Sequence, residues 1–241
     1  MTTETVRVER RGDVVVATMD RPDKRNAADL SVYHGLEAAL GEDAAAYVLA
    51  GAGGDFSAGD DVAMFDFEGV EAADAFIVEV ERIFRVIEGH PRPVVAAVDG
   101  YALGFGFELA LACDLVLASP RAVLGLPEIT HGAAPPNAMV RAVDVLGRGL
   151  VRHLALSGRR WLSGAEAHGY GMVAELHEPD RLVDAAVALA AEVAATPASG
   201  HAKRLLTLGA EAGYRLAPLI MPRLMASGTV AASRRRYAGD R

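Results

Sequence analysis

The chain is poor in several residues that mark common protein classes. A single cysteine, Cys113, stands in 241 residues; this excludes an internal disulfide and fits a reducing compartment, with the thiol read as a small buried side chain. Aromatic residues make up only 6% against 51% hydrophobic residues overall, so the core must be packed mainly from Ala, Val and Leu, and a disordered chain is excluded. Positive charge is in deficit. The formal net charge of −8 argues against general nucleic-acid binding and requires a local basic cluster for any anionic ligand. The seven histidines are scattered without metal-ligand spacing, so no metal is expected. The longest hydrophobic region, 94–118, is broken by Asp99, Glu108 and Asp114, and the N-terminal MTTETVRVERRGD has no signal-peptide core. A cytoplasmic protein without a membrane partner is expected.

Against this background two glutamates twenty positions apart stand out, Glu108 in DGYALGFGFELALACDL and Glu128 in LGLPEITHG. Each follows an apolar, strand-like run, where a charged side chain needs a reason to be present. If the fold brings them together their titrations are coupled, and one can hold a proton while the other is ionised. That is an acid/base pair. Residues 93–98 read as a buried strand, 99–106 as a glycine-interrupted turn and 107–113 as a helix, so free backbone N–H groups should gather where the helix dipole favours a negative oxygen. A second turn, DFSAGDD from Asp55, follows a strand over 47–51. One N–H from each turn would make an oxyanion hole.

Along the chain, strands over 6–9 and 14–19 flank Arg11-Gly12-Asp13 as a hairpin. Asp29-Leu-Ser31 caps a helix with Val32, Tyr33, Leu36, Ala39 and Leu40 on its apolar face, ending at Gly41. A second helix over 72–88 carries Phe76, Val80, Ile83, Phe84 and Ile87 on one face. Strands are expected at 114–118 and 122–124, and Ser163 with Glu166 forms a capping box. From about Asp180 onward no strand pattern appears and the chain reads as helical.

Five blocks, RPDKRNA, VLAGAGGDFSAGDD, GYALGFGFELALACDL, GLPE and LSGRRWLSGAEAHGYGMV, resemble the crotonase, or enoyl-CoA hydratase/isomerase, superfamily in order and spacing. The resemblance implies an α/β fold, a crotonase-like ββα spiral core over 1–180 holding the active site, and a C-terminal all-helical oligomerisation region over 181–241. It implies a homotrimer or a dimer of trimers, and an acyl-CoA substrate with no separate cofactor.

Residue by residue, the resemblance gives the oxyanion N–H groups to Asp60 and Phe105, the base toward water to Glu108, and the proton for Cα to Glu128. Coenzyme A binding falls to the loop of Lys24, Arg25 and Ala27 and to Ala58, with the two basic side chains as phosphate partners. Retention of both glutamates favours a hydratase over an isomerase. The alternatives are another crotonase reaction on an acyl-CoA, namely double-bond isomerisation, hydrolysis or decarboxylation, or a non-catalytic acyl-CoA-binding subunit. Three positions depart from the pattern. Asp60 brings a carboxylate to the oxyanion site, and its side chain is expected to point away. Phe105 replaces a glycine, narrowing the acyl pocket or straining the backbone. Pro136 stands where a glycine N–H would help hold water, and it has none. His131 is a lone loop histidine read as a neutral bystander, and the run Arg234 to Arg236 as a solvated helix face.

Overall fold

The computed structural model describes residues 5–65 and 70–207. It opens with the antiparallel pair β1 (Val6–Arg11) and β2 (Val14–Met19), which turn at Gly12. Asp29 caps α1 (Leu30–Leu40), its carboxylate accepting the N–H groups of Ser31 and Val32, which would otherwise lack acceptors. The apolar runs that follow, β3 (Ala46–Gly51) and β4 (Val94–Val98), have no alternation of polar residues, as suits strands covered on both faces. With β6 (Leu115–Ala118) and β9 (Glu175–Leu176) they form a six-stranded sheet of order β1-β2-β3-β4-β6-β9, parallel from β2 onward. A three-stranded sheet of order β5-β7-β8 comprises β5 (Tyr101–Leu103), β7 (Val123–Gly125) and β8 (Trp161–Ser163).

Side-chain alternation sorts the large sheet into two faces. Val15, Ala17, Leu49 and Ala96 point into the main core with α1, α2 (Val70–Gly89), α3 (Phe105–Ala112) and α4 (Pro136–Ser157). The intervening Val14, Val16, Val48 and Val95 meet Leu182, Ala186 and Ala190 of α6 (Pro179–Ala194) on the other face. A fully covered Leu such as Leu182 contributes about 2 kcal/mol. The expected boundary after residue 180 therefore falls inside a helix that forms the outer layer of the sheet. The Ser163–Glu166 capping box is present at the start of α5 (Gly164–Gly169), and α7 (Ser199–Thr207) is the last described element. The run Arg234 to Arg236 lies outside the described residues. Among the described residues no single helix is long and apolar enough to cross a membrane.

Candidate active site

Two backbone turns are locked against each other before any side-chain chemistry is considered. Asn26, fully buried and with a left-handed backbone, donates its amide to the carbonyls of Ala52 and Asp55 at 2.8 and 2.6 Å. Asp55 in turn accepts the Tyr101 N–H at 2.9 Å, and the Ser57 N–H reaches Tyr101 O at 2.8 Å. The chain after β3 thus runs beside β5. At Gly106, in the first turn of α3, an added Cβ would lie 2.5 Å from the Ser57 carbonyl oxygen, so only glycine lets the helix sit against the turn.

This packing orients two donors. The Ala28 N–H bonds Gly59 O at 2.8 Å and the Asp61 N–H bonds Ala28 O at 2.7 Å. In such a parallel bridge the intervening Asp60 N–H points the other way. Phe105 is the first residue of α3, where an N–H has no acceptor inside the helix. Both residues line one cavity of about 380 Å³.

Glu108 and Glu128 line the same cavity, with Val62, Phe76, Ile77 and Val80 among its apolar walls. Glu108 accepts the Ala138 N–H at 2.7 Å, from the first turn of α4. Burial pushes its carboxyl up to about 8, and the charges of Glu128 and Asp60 add to the rise while the Ala138 bond opposes it. Burial likewise pushes Glu128, on a short 3-10 turn over Glu128–His131, up to about 7. Its Oε2 is buried without a hydrogen-bond partner among the described residues. Opposite it stands Gly104, whose φ is +53° and where a Cβ would come within 3.3 Å of Glu128 Oε1. The two glutamates, remote in sequence, therefore share one site, and the charge of Glu128 adds to the rise of Glu108.

The Asp60 side chain was expected to point away from the oxyanion site, and in the fold it is tied to Tyr33. Asp60 lines the cavity, its Oδ1 accepts the buried hydroxyl of Tyr33, and its charge is felt by both Glu108 and Glu128. Burial raises its carboxyl to about 6 against the lowering effect of the Tyr33 bond. Phe105 is helical rather than left-handed, so the substitution for glycine stores no backbone strain. Its ring is buried 5.0 Å from that of Tyr33 and 5.5 Å from that of Phe84, closing one side of the cavity. Pro136 is the first residue of α4, where a missing N–H costs nothing. His131 stands exposed at the cavity.

The four residues expected to hold coenzyme A lie on one loop and its neighbour. Ala58 lines the cavity, and its N–H is held by Arg25 O at 2.9 Å. The Ala27 carbonyl accepts the Arg21 guanidinium at 2.5 Å. Arg25 stacks over the Tyr101 ring at 5.0 Å. Lys24 is engaged by Asp61, with Nζ 2.7 Å from Oδ2. Sequence reasoning missed Tyr33 as a polar partner and the ion pairs around Asp61. It also missed Arg141, which joins Glu88 on α2 to Asn137 on the cavity wall. Tyr33 was visible as the one aromatic with a polar tip on the apolar face of α1, but nothing local identified its acceptor.

Comparison with known proteins shows the family. The sequence pattern of the family described as "Enoyl-CoA hydratase/isomerase" matches residues 9–211. A Rhizobium meliloti protein named "Probable enoyl-CoA hydratase" is 34% identical over 219 residues, covering 88% of this chain and 84% of that one. The "Short-chain-enoyl-CoA hydratase" of Clostridium acetobutylicum is 31% identical over 193 residues, 77% and 74% of the two chains. The crystal structure of enoyl-CoA hydratase from Thermoplasma volcanium superimposes with a TM-score of 0.87 at 28% identity, covering 98% of each chain. By sequence and by its crotonase-type fold, the chain belongs to the enoyl-CoA hydratase/isomerase family.

Proposed function

We propose that the protein is an enoyl-CoA hydratase, adding water reversibly and syn across a trans-2-enoyl thioester. The observation that carries the reading is the presence of two carboxyls, Glu108 and Glu128, in one apolar-walled cavity beside the N–H groups of Asp60 and Phe105. Those N–H groups hold the thioester oxygen, and each stabilises the developing enolate by about 3 kcal/mol. With the carbonyl polarised, water oxygen bonds to Cβ while one of its protons passes to Glu108, and the C=C electron pair moves into the enolate. Glu128 then delivers a proton to Cα as the carbonyl re-forms. The cycle leaves Glu108 protonated and Glu128 ionised, so a proton must return between them or through water before the next hydration. With the carboxyls held at about 8 and about 7, the proton sits mostly on Glu108 near neutral pH, and hydration proceeds from the minority form in which Glu108 is ionised and the proton sits on Glu128. The coenzyme arrives as part of the substrate, and its phosphates are assigned to Arg25 and Lys24, the latter exchanging its bond to Asp61 for one to the ligand.

The test is a panel of trans-2-enoyl thioesters followed by loss of the conjugated absorbance, with Glu108→Gln and Glu128→Gln as controls. Turnover that depends on both glutamates supports the reading. Turnover indifferent to either removes the mechanism. Retained conversion of a 3-enoyl thioester by Glu108→Gln would favour an isomerase, which needs only one proton shuttle.

A further inference from the structure

Two adjacent aspartates, of which Asp60 lines the cavity, are treated in opposite ways by the fold. Asp61 is bonded by Arg21 Nη2 at 2.9 Å and Lys24 Nζ at 2.7 Å. Both cations are directed at Asp61 rather than at Asp60. The other guanidinium close to the site, that of Arg141, forms paired hydrogen bonds with Glu88. Among the described residues that line the cavity there is no lysine or arginine; the titratable ones are Asp60, Glu108, Glu128 and the exposed His131.

The only bond to the Asp60 side chain among the described residues comes from the Tyr33 hydroxyl. Tyr33 is 2% exposed, with its ring 5.0 Å from Phe105 and 6.4 Å from Phe76. It is therefore packed in place, and its hydroxyl is fixed at Asp60. An O–H donor stabilises the ionised form of its acceptor. The bridge to Ala28 fixes the backbone on which this carboxyl is carried. The result is an acidic group at the acyl cavity with one oxygen held and the other without a hydrogen-bond partner among the described residues. The walls beyond it, Phe65, Phe76 and Ile77, are apolar.

We propose that Asp60, held by Tyr33, makes the cavity selective for uncharged acyl groups and against thioesters whose acyl chain carries a carboxylate. This inference rests on the acyl-CoA reading of the cavity but not on which reaction follows. An acyl carboxylate entering would lose its hydration and meet like charge, with no lysine or arginine among the described lining residues to replace it.

The experiment compares binding of pentanoyl-CoA and glutaryl-CoA, saturated thioesters of equal chain length that differ in one terminal carboxylate, to the purified full chain by competition calorimetry. The wild type is expected to bind the glutaryl compound about 100-fold more weakly. In Asp60→Asn, which keeps the size and the backbone N–H, the gap should shrink by about tenfold or more. In Tyr33→Phe, which removes only the donor to Asp60, it should shrink less. Binding of both thioesters within about threefold by the wild type, or an unchanged gap in Asp60→Asn, would overturn the proposal while leaving the acyl-CoA reading intact. Binding of neither thioester would overturn that reading and this inference with it.

Discussion

Asp61 lies between Arg21 and Lys24 and is held down to about 2, foremost by its bond to Lys24. One residue earlier, Asp60 bonds only a phenol among the described residues and is raised by burial to about 6. The contrast extends to the regions around them. The loop of Arg21, Lys24, Asp29 and Asp61 is a cluster of matched charges, with Arg21 also 3.1 Å from Asp29. The cavity gathers Asp60, Glu108 and Glu128 without a matching cation among its described lining residues. Paired charges of the first kind hold a loop in place. Unpaired buried carboxyls of the second kind weaken the fold and keep protons available near neutral pH, which is the trade expected of a catalytic site.

The largest way to break this contrast is to neutralise the catalytic side. Glu108→Gln and Glu128→Gln should each lower kcat by about 10² to 10⁴ with a smaller change in KM, measured on the best enoyl thioester of the panel. The same Glu108→Gln change should stabilise the fold. In the native protein Glu108 keeps its proton up to about 8, whereas in the unfolded chain it ionises around the ordinary glutamate value of 4.5. Between those values the unfolded state binds fewer protons, so native stability falls as pH rises. The variant has no such cost and should gain on the order of 4 kcal/mol over wild type at pH 9, with the gain gone at pH 4, measured by urea unfolding.

Gly106→Ala tests the contact that brings the two turns together. A Cβ at 2.5 Å from Ser57 O must push α3 away, costing about 1–3 kcal/mol and lowering kcat in parallel. The smallest effect is expected on the paired side. Asp61→Asn should lose about 1 kcal/mol at pH 7, because Lys24 is half exposed and its contribution is screened. Asp61 is lowered from 3.8 to about 2, so its contribution is present above pH 3.8 and disappears as pH falls through about 2. Denaturation curves at pH 7 and pH 3 would show the difference narrowing.

Much of the fold was legible because its signals are local. The hairpin at Gly12, the Asp29 cap, the apolar strands and the Ser163 capping box each depend on residues within a few positions. Glu108 and Glu128 were legible for a related reason, since a charge inside an apolar run is anomalous wherever the run folds. The partner of Asp60 was not legible, because it is Tyr33, on a helix 27 residues earlier; nothing near Asp60 announces a buried hydroxyl. Lys24 reads as a free cation until the fold places it against Asp61, 37 residues on. Pro136 looked like a loss, yet it begins α4, and two residues later Ala138 supplies the N–H that holds Glu108. Long-range pairing, rather than composition, decides which charges are matched.

The measurement that bears most directly on this account is the titration of the cavity glutamates by NMR with side-chain carboxyl ¹³C labels. Two resonances should move with midpoints near the values of about 8 and about 7 that burial gives Glu108 and Glu128, and each should vanish in the corresponding Gln variant. Glutamate resonances that all titrate below about 5, like ordinary exposed carboxylates, would contradict it.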